Sequence, residues 1–220
     1  MGGSEHDTPA ARAEPGPHPL AEALAATLAA AGGEPRVLVV GAGSGRSLPP
    51  LLAAGARVDV LEADLERAAA ASRRFANEAR LRVARGFYDE PAPFEGGYAA
   101  AFSSHALLHG TTSDVARAVD AIRIRLAPGG AFVLTLGSKR DPRFGTGRAV
   151  AEDTFAPTSG SEANVAHAFF DAGGVRELLG AFALEEMCEA NAGEAVGRWA
   201  HEPREAESIV HWWVRARLVQ

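Results

Sequence analysis

The run Val37-Leu38-Val39-Val40, ending in Gly41-Ala42-Gly43-Ser44-Gly45-Arg46, constrains this chain more than any other segment. Four apolar residues in a row read as a buried strand. Glycines at i, i+2 and i+4 read as a tight turn, where a backbone without Cβ atoms comes close to a ligand. A second apolar segment, Arg57-Val58-Asp59-Val60-Leu61-Glu62, closes on an acid seventeen residues after Gly45. The two carboxylate oxygens of Glu62 suit the two hydroxyls of a ribose. Strand, glycine turn, helix, strand and carboxylate arrive in the order of a βαβ unit, which predicts an α/β fold with a nucleoside-cofactor site.

The rest of the chain supports one such domain. At 220 residues it is long enough to bury a sizeable core. Lys and Arg number 22 against 28 Asp and Glu, for a net charge of −6. That balance argues against nucleic acid as substrate, since a surface that tracks phosphates is normally basic. Cys188 is the single cysteine, so internal disulfides and multi-cysteine zinc sites are excluded. No apolar run approaches the roughly 18 residues needed to span a bilayer. The first residues carry acids, histidines and prolines where a signal peptide has a basic and then an apolar segment, which predicts a cytoplasmic protein with no membrane partner.

Periodicity divides the chain as follows. Residues 1–18 predict a disordered tail and 19–220 a single domain. Leu20, Leu24 and Leu28 mark a helix stopped by Gly32-Gly33. Short helical character at 47–54 is followed by a helix over 65–78, with Asp64 as its cap. Strands are expected at 81–83, 98–103 and 131–136, with a helix at 113–126 between the last two. Residues 138–165 show no strong period and read as a long functional loop. A helix at 172–180 and strands at 182–189 and 208–219 finish the domain.

The dinucleotide fingerprint Gly-x-Gly-x-x-Gly needs a glycine where this chain has Arg46. Together with the absence of a Tyr-x-x-x-Lys pair, this disfavours an NAD(P)-dependent oxidoreductase. Gly-x-Gly-x-Gly instead resembles motif I of the class I, Rossmann-like S-adenosylmethionine-dependent methyltransferases. Two further segments strengthen the likeness: Leu126-Ala127-Pro128-Gly129-Gly130 before a strand, and Pro93-Phe94-Glu95-Gly96-Gly97-Tyr98 with Phe102-Ser103-Ser104-His105. These landmarks cover roughly residues 36–137 in family order. Ser138–Gly145 and His211-Trp212-Trp213 also resemble the tellurite-resistance-type small-molecule branch.

The resemblance implies a three-layer fold with a seven-stranded, mostly parallel sheet and an antiparallel last strand. It implies S-adenosylmethionine as cofactor, with S-adenosylhomocysteine as product, and direct methyl transfer to a small molecule. Gly41, Ala42, Gly43 and Gly45 would border the methionine part of the cofactor. Glu62 would hold the ribose, Ala63 would touch adenine, Gly86, Phe87 and Tyr88 would line the adenine pocket, and Ser103 and His105 would lie near the sulfonium and the acceptor. Two positions depart from the family. Val39 stands where an acid is common, and Phe87 stands where an Asp accepts from the adenine amino group, unless Asp89 replaces it. Each loss is worth about 1.5–3 kcal/mol by charge-assisted hydrogen-bond magnitudes. These departures motivate an alternative: a non-catalytic Rossmann-like binding protein that has lost tight cofactor binding.

For the acceptor side, His105 is the candidate catalytic residue. His105 and His109, four apart, would share one face of a helical turn. Metal binding by this pair is not expected, since no third ligand has useful spacing. Lys139, Arg140 and Arg143 form a positive cluster suited to an anionic acceptor. His167, with Phe169 and Phe170, offers an acceptor wall, and Trp199 and His201 a cover. Substrate contacts are thus expected from His109, Lys139, Arg143 and His167. In the last strand, alternation puts Trp212, Val214 and Ala216 on the core face and His211 and Trp213 on the other. Cys188 reads as a buried small residue. Monomer and homodimer are both compatible with the sequence.

Overall fold

Strand β1 (Arg36–Val40) is apolar from Val37 to Val40 because both of its faces are covered there. Val37 and Val39 pack into one cluster with Leu20, Leu24 and Leu28, while Leu38 and Val40 pack into another with Val115, Val119 and Ile122. Period-two alternation thus sends successive side chains to opposite helical layers. The computed structural model describes residues 16–90, 93–160, 162–193 and 208–219. Their order is α1 (Pro19–Ala31), β1, α2 (Leu48–Ala53), β2 (Arg57–Glu62), α3 (Leu65–Arg74), β3 (Leu81–Arg85), β4 (Tyr98–Ser103), α4 (Thr112–Arg123) and β5 (Leu126–Ser138). They are followed by β6 (Arg148–Ala151), β7 (Thr154–Ala156), β8 (His167–Phe170), α5 (Ala172–Leu178), β9 (Phe182–Asn191) and β10 (Val210–Leu218).

The expected seven-stranded core is present in the order β3-β2-β1-β4-β5-β10-β9. Strands β1 to β5 are mutually parallel, and β10 runs antiparallel between β5 and β9. Three short strands extend it. β8 pairs with Gly137 and Ser138 at the end of β5, and β7 and β6 follow as an antiparallel pair. The segment 138–165 is therefore not one long loop. Its hairpin is tied down by an aromatic trio, Phe144, Phe155 and Phe169, with ring centroids 5.3 to 6.3 Å apart. Those contacts are distant in sequence and leave no local period.

Helix ends follow their capping residues. Asp64 accepts from the Arg67 amide at 2.8 Å and starts α3, which ends at Arg74, short of the expected residue 78. Thr111 and Asp114 form a reciprocal capping box at the start of α4. The domain begins before residue 19. His18 is fully buried and caps α1, its Nδ1 accepting from the Leu20 amide, so a tail boundary at 18 falls inside an ordered contact. The last strand also differs from expectation, because both of its faces are covered. Trp212 joins the α4 side and Trp213 the α1 side. Cys188 is exposed, not buried. Among the described residues no helix is long and apolar enough to cross a membrane.

One polar hub ties four strands together. Asp59 of β2 is buried and accepts from Arg82 of β3 at 2.6 and 2.7 Å, from Tyr98 of β4 at 2.8 Å and from Arg36 of β1 at 3.2 Å. Burial works to raise the pKa of this carboxyl, but the donors Arg82, Tyr98 and Arg36 outweigh it and hold it below the ordinary value. Asp59→Asn should destabilise the fold by roughly 2–3 kcal/mol, less than for a fully buried pair because Arg82 is largely in solvent. Thermal melts should show a drop of about 5–10 °C. The Asp59 stabilisation is present above the unfolded-state pKa, near 4, and is lost as pH falls below it. The melting temperatures of wild type and variant should therefore converge on acidification; a gap that holds or widens below pH ~4 would remove Asp59 as the source.

Candidate functional site

The carboxyl ends of β1 and β4 adjoin where the strand order reverses, the usual place for a ligand crevice in such a sheet. The Gly41 amide donates to the Leu61 carbonyl at 2.9 Å, which holds the glycine turn against the end of β2. The glycines serve different needs. A Cβ on Gly41 (φ 72°) would lie 2.1 Å from Ala106 Cβ and 3.0 Å from the Tyr88 hydroxyl, so this glycine lets two neighbouring loops close on the turn. One on Gly45 would meet the Phe75 ring at 2.8 Å. Gly43 (φ 55°) has nothing within 4 Å of where its Cβ would stand. It is the open face of the turn.

Glu62 lies directly beside that face. Its Oε2 accepts from the Gly43 amide at 2.8 Å and its Oε1 from the Asp64 amide at 3.1 Å. Each oxygen keeps a lone pair for a further donor. The Gly86 amide donates to the Glu62 carbonyl at 3.1 Å, bringing the loop after β3 alongside. On that loop Phe87 is 56% exposed, while Tyr88 turns inward beside Gly41 and hydrogen-bonds the Ala63 backbone. Burial, reinforced by the negative charge of Glu62, holds the Tyr88 phenol well above its ordinary pKa, so it stays neutral. Asp89 is engaged by Arg117 of α4 at 3.2 Å. Ser103 differs from its expected role: it is fully buried and donates to the Val40 carbonyl at 2.9 Å, pinning β4 to β1. Val39 is core.

Beyond β4 the chain turns through His105, a non-glycine residue in the left-handed region (φ 54°) whose amide donates to Thr135 Oγ1 at 2.8 Å. Such a backbone costs about 1–2 kcal/mol and is concentrated at functional sites. The His105 ring stands between His18 (5.4 Å between centroids) and His211 (4.9 Å), and His18 also faces Trp213 at 4.7 Å. Sequence alternation raised His211 and Trp213 but gave no sign of His18. Arg143 Nη2 lies 3.2 Å from His211 Nε2. A guanidinium only donates, so His211 presents Nε2 as acceptor.

The segment 104–110 is a loop, so His105 and His109 do not share a helical face. His109 pairs instead with His167 across an isolated bridge, and both approach Glu162. The positive cluster is neutralised within the fold. Lys139 contacts Asp153 at 2.7 Å and Asp171 at 3.2 Å, Arg140 contacts Glu189 at 2.9 Å, and Arg143 is held by both oxygens of Asp141 at 2.9 Å. These carboxylates lie mostly far along the sequence from their partners, so charge spacing alone does not reveal them. Trp199 and His201 fall outside the described residues.

Residues 37–130 match a family model described as a methyltransferase domain. No curated protein sequence matches. Among solved structures, an S-adenosylmethionine-dependent methyltransferase from Methanosarcina mazei aligns at TM-score 0.65 and 16% identity, covering 84% of this chain and 93% of that one. The 1,6-didemethyltoxoflavin-N1-methyltransferase of Burkholderia thailandensis, with bound 1,6-didemethyltoxoflavin and S-adenosylhomocysteine, aligns at 0.63 and 21% identity, covering 92% and 79%. The N-methyltransferase NodS of Bradyrhizobium japonicum, in complex with S-adenosylhomocysteine, aligns at 0.61 and 17%, covering 92% and 89%. At these identities the likeness carries the fold.

The glycine geometry makes a stability contrast. Gly43→Ala should cost only the left-handed backbone penalty, about 1 kcal/mol, and shift the melting temperature by roughly 2–4 °C. Gly41→Ala adds overpacking against Ala106 and should cost about 3 kcal/mol or more. Equal shifts in thermal melts of the two variants would contradict the assignment of Gly43 as the open face.

Proposed function

We propose that the chain is a class I S-adenosylmethionine-dependent methyltransferase and that it methylates a small-molecule acceptor held on the His105 side of the glycine turn, a reading supported by the methyltransferase-domain match over residues 37–130 and by the shared fold. The observation that carries the reading is the pairing of the open Gly43 face with the anchored Glu62 carboxylate. These residues fit the cofactor: an unfilled position over the backbone beside two carboxylate oxygens suits a nucleoside with two ribose hydroxyls. Bound S-adenosylmethionine supplies a methyl group on a sulfonium, a charge lost on transfer.

Residue roles follow from their surroundings. Glu62 holds the ribose. Phe87 presents an exposed ring on the loop after β3 and stacks on the adenine face, in place of an Asp that would accept a hydrogen bond from the adenine amino group. Tyr88 and Ala63 wall the site from beneath. His105 is fixed through its backbone by Thr135 and through its ring by His18 and His211, so its imidazole orients the acceptor and takes a proton from it where the acceptor is protonated. Arg143 acts through His211 as a positioning residue. With Lys139 and Arg143 already paired, recognition of the acceptor rests on imidazole and aromatic groups more than on free positive charge.

Calorimetric titration of the purified chain with S-adenosylmethionine, S-adenosylhomocysteine and NAD in parallel tests the site. Micromolar binding of the two sulfur nucleosides alone is the expected result; binding of NAD, or of none, would overturn it. Phe87→Ala should weaken S-adenosylhomocysteine binding by about tenfold, by the usual magnitude for base–aromatic stacking, without lowering the melting temperature. Unchanged affinity would remove the stacking role.

A further inference from the structure

We infer that His109, Glu162 and His167 form a three-ligand site for a borderline divalent transition metal of the Zn2+ class, beside the acceptor region. One ligand atom from each residue lies within 4.8 Å of the other two. The backbone fixes the pair of histidines. The Gly110 amide donates to the Ala166 carbonyl and the Ala168 amide to the Leu108 carbonyl, both at 2.8 Å, so segments 108–110 and 166–168 run side by side. The two imidazoles then meet with centroids 5.0 Å apart. Glu162 comes in from the preceding turn, Oε1 at 3.5 Å from His109 Nε2 and Oε2 at 3.1 Å from His167 Nε2. With metal–ligand bonds of about 2.0–2.2 Å, the edge of a coordination tetrahedron is about 3.3–3.5 Å. Each histidine contacts its own Glu162 oxygen at a separation near that edge, and one ligand atom from each residue falls within 4.8 Å of the others.

The tautomers point the same way. His167 Nδ1 lies 2.8 Å from the Val165 carbonyl, an acceptor, so this nitrogen carries a hydrogen. A ring that spends its one N–H there turns a lone pair from Nε2 toward a carboxylate oxygen. Contact at 3.1 Å between two acceptor atoms then needs something to bridge them, a proton or a metal ion. An Nδ1–H donated to a backbone carbonyl is also the usual way a metal-ligating imidazole is oriented.

Exposure grades the site. His167 is buried, while the side chains of His109 and Glu162 are about a third exposed, which leaves an open side where water or an anionic acceptor can complete the shell. Two nitrogens and one oxygen select a borderline ion over Mg2+ or Ca2+. Arg143 Nη1 lies 3.7 Å from Glu162 Oε2, but both oxygens of Asp141 offset its charge. The site stands whether or not the acceptor reading above is correct.

The test uses the full chain, purified without a polyhistidine tag and stripped with chelator. It is titrated with Zn2+ by calorimetry and with Co2+ by visible absorption. One equivalent should bind at micromolar or tighter affinity, with release of protons and intense Co2+ bands of a four- or five-coordinate centre. His109→Gln and Glu162→Gln should each weaken binding by tenfold or more, while Cys188→Ser, which removes the exposed thiol, should leave it unchanged. Circular dichroism checks that both ligand variants fold; if one does not, the other decides. Failure of wild type to bind either ion, or equal affinity in the ligand variants, would overturn the metal site and leave a hydrogen-bonded His–Glu–His cluster.

Discussion

The buried carboxylate of Glu62 sets the geometry on which the ligand end of this protein depends. An anion removed from water is tolerated only when donors replace its hydration, and here backbone amides on either side of the crevice do so. By accepting from Gly43 it fixes the turn after β1. By accepting from Asp64 it fixes the residue whose own side chain caps α3. The Glu62 carbonyl receives the Gly86 amide and so places the loop after β3. One residue thereby registers three loops that a nucleoside would touch, and the Tyr88 side chain packs the third of them against the first.

A second carboxylate on the same strand does a different job. Asp59 gathers Arg36, Arg82 and Tyr98 within the parallel sheet, and this network concerns stability alone. The strained and open features, Gly43 and the left-handed His105, lie instead at the carboxyl ends of β1 and β4. Placing the charge network on neighbouring strands lets the ligand end keep strained backbone and a partly open surface without loss of the fold.

Much of this arrangement can be read from local sequence. The glycine turn, Glu62, the Asp64 cap and the core strands follow from period, capping and turn chemistry that act over a few residues. The contacts that shape the acceptor side do not. The hairpin of β6 and β7 depends on Phe144 meeting Phe155 and Phe169, and His18 reaches Trp213 from the far end of the chain. Lys139 looks like free positive charge in sequence because Asp153 and Asp171 join it only through tertiary structure, whereas the partner of Arg143, Asp141, stands two residues before it. A four-residue spacing suggested a shared face for His105 and His109, yet a single isolated bridge to His167 separates them into different clusters.

The two departures from the family pattern differ in physical weight. An acid at position 39 would stand in an apolar layer with Leu24, Leu48 and Phe102, where Val39 contributes burial instead. Its absence is therefore coupled to packing against α1 and α2, and restoring the acid alone would bury an uncompensated charge. Phe87 is different, because it is exposed and its replacement disturbs no core. Asp89, the nearest acid able to stand in for it, is already committed to Arg117. Under the proposed reading, adenine is thus held by its face and the ribose by its hydroxyls. That division favours discrimination at the sugar and the sulfur end over discrimination at the base, since stacking tolerates any π-face and a directed hydrogen bond does not.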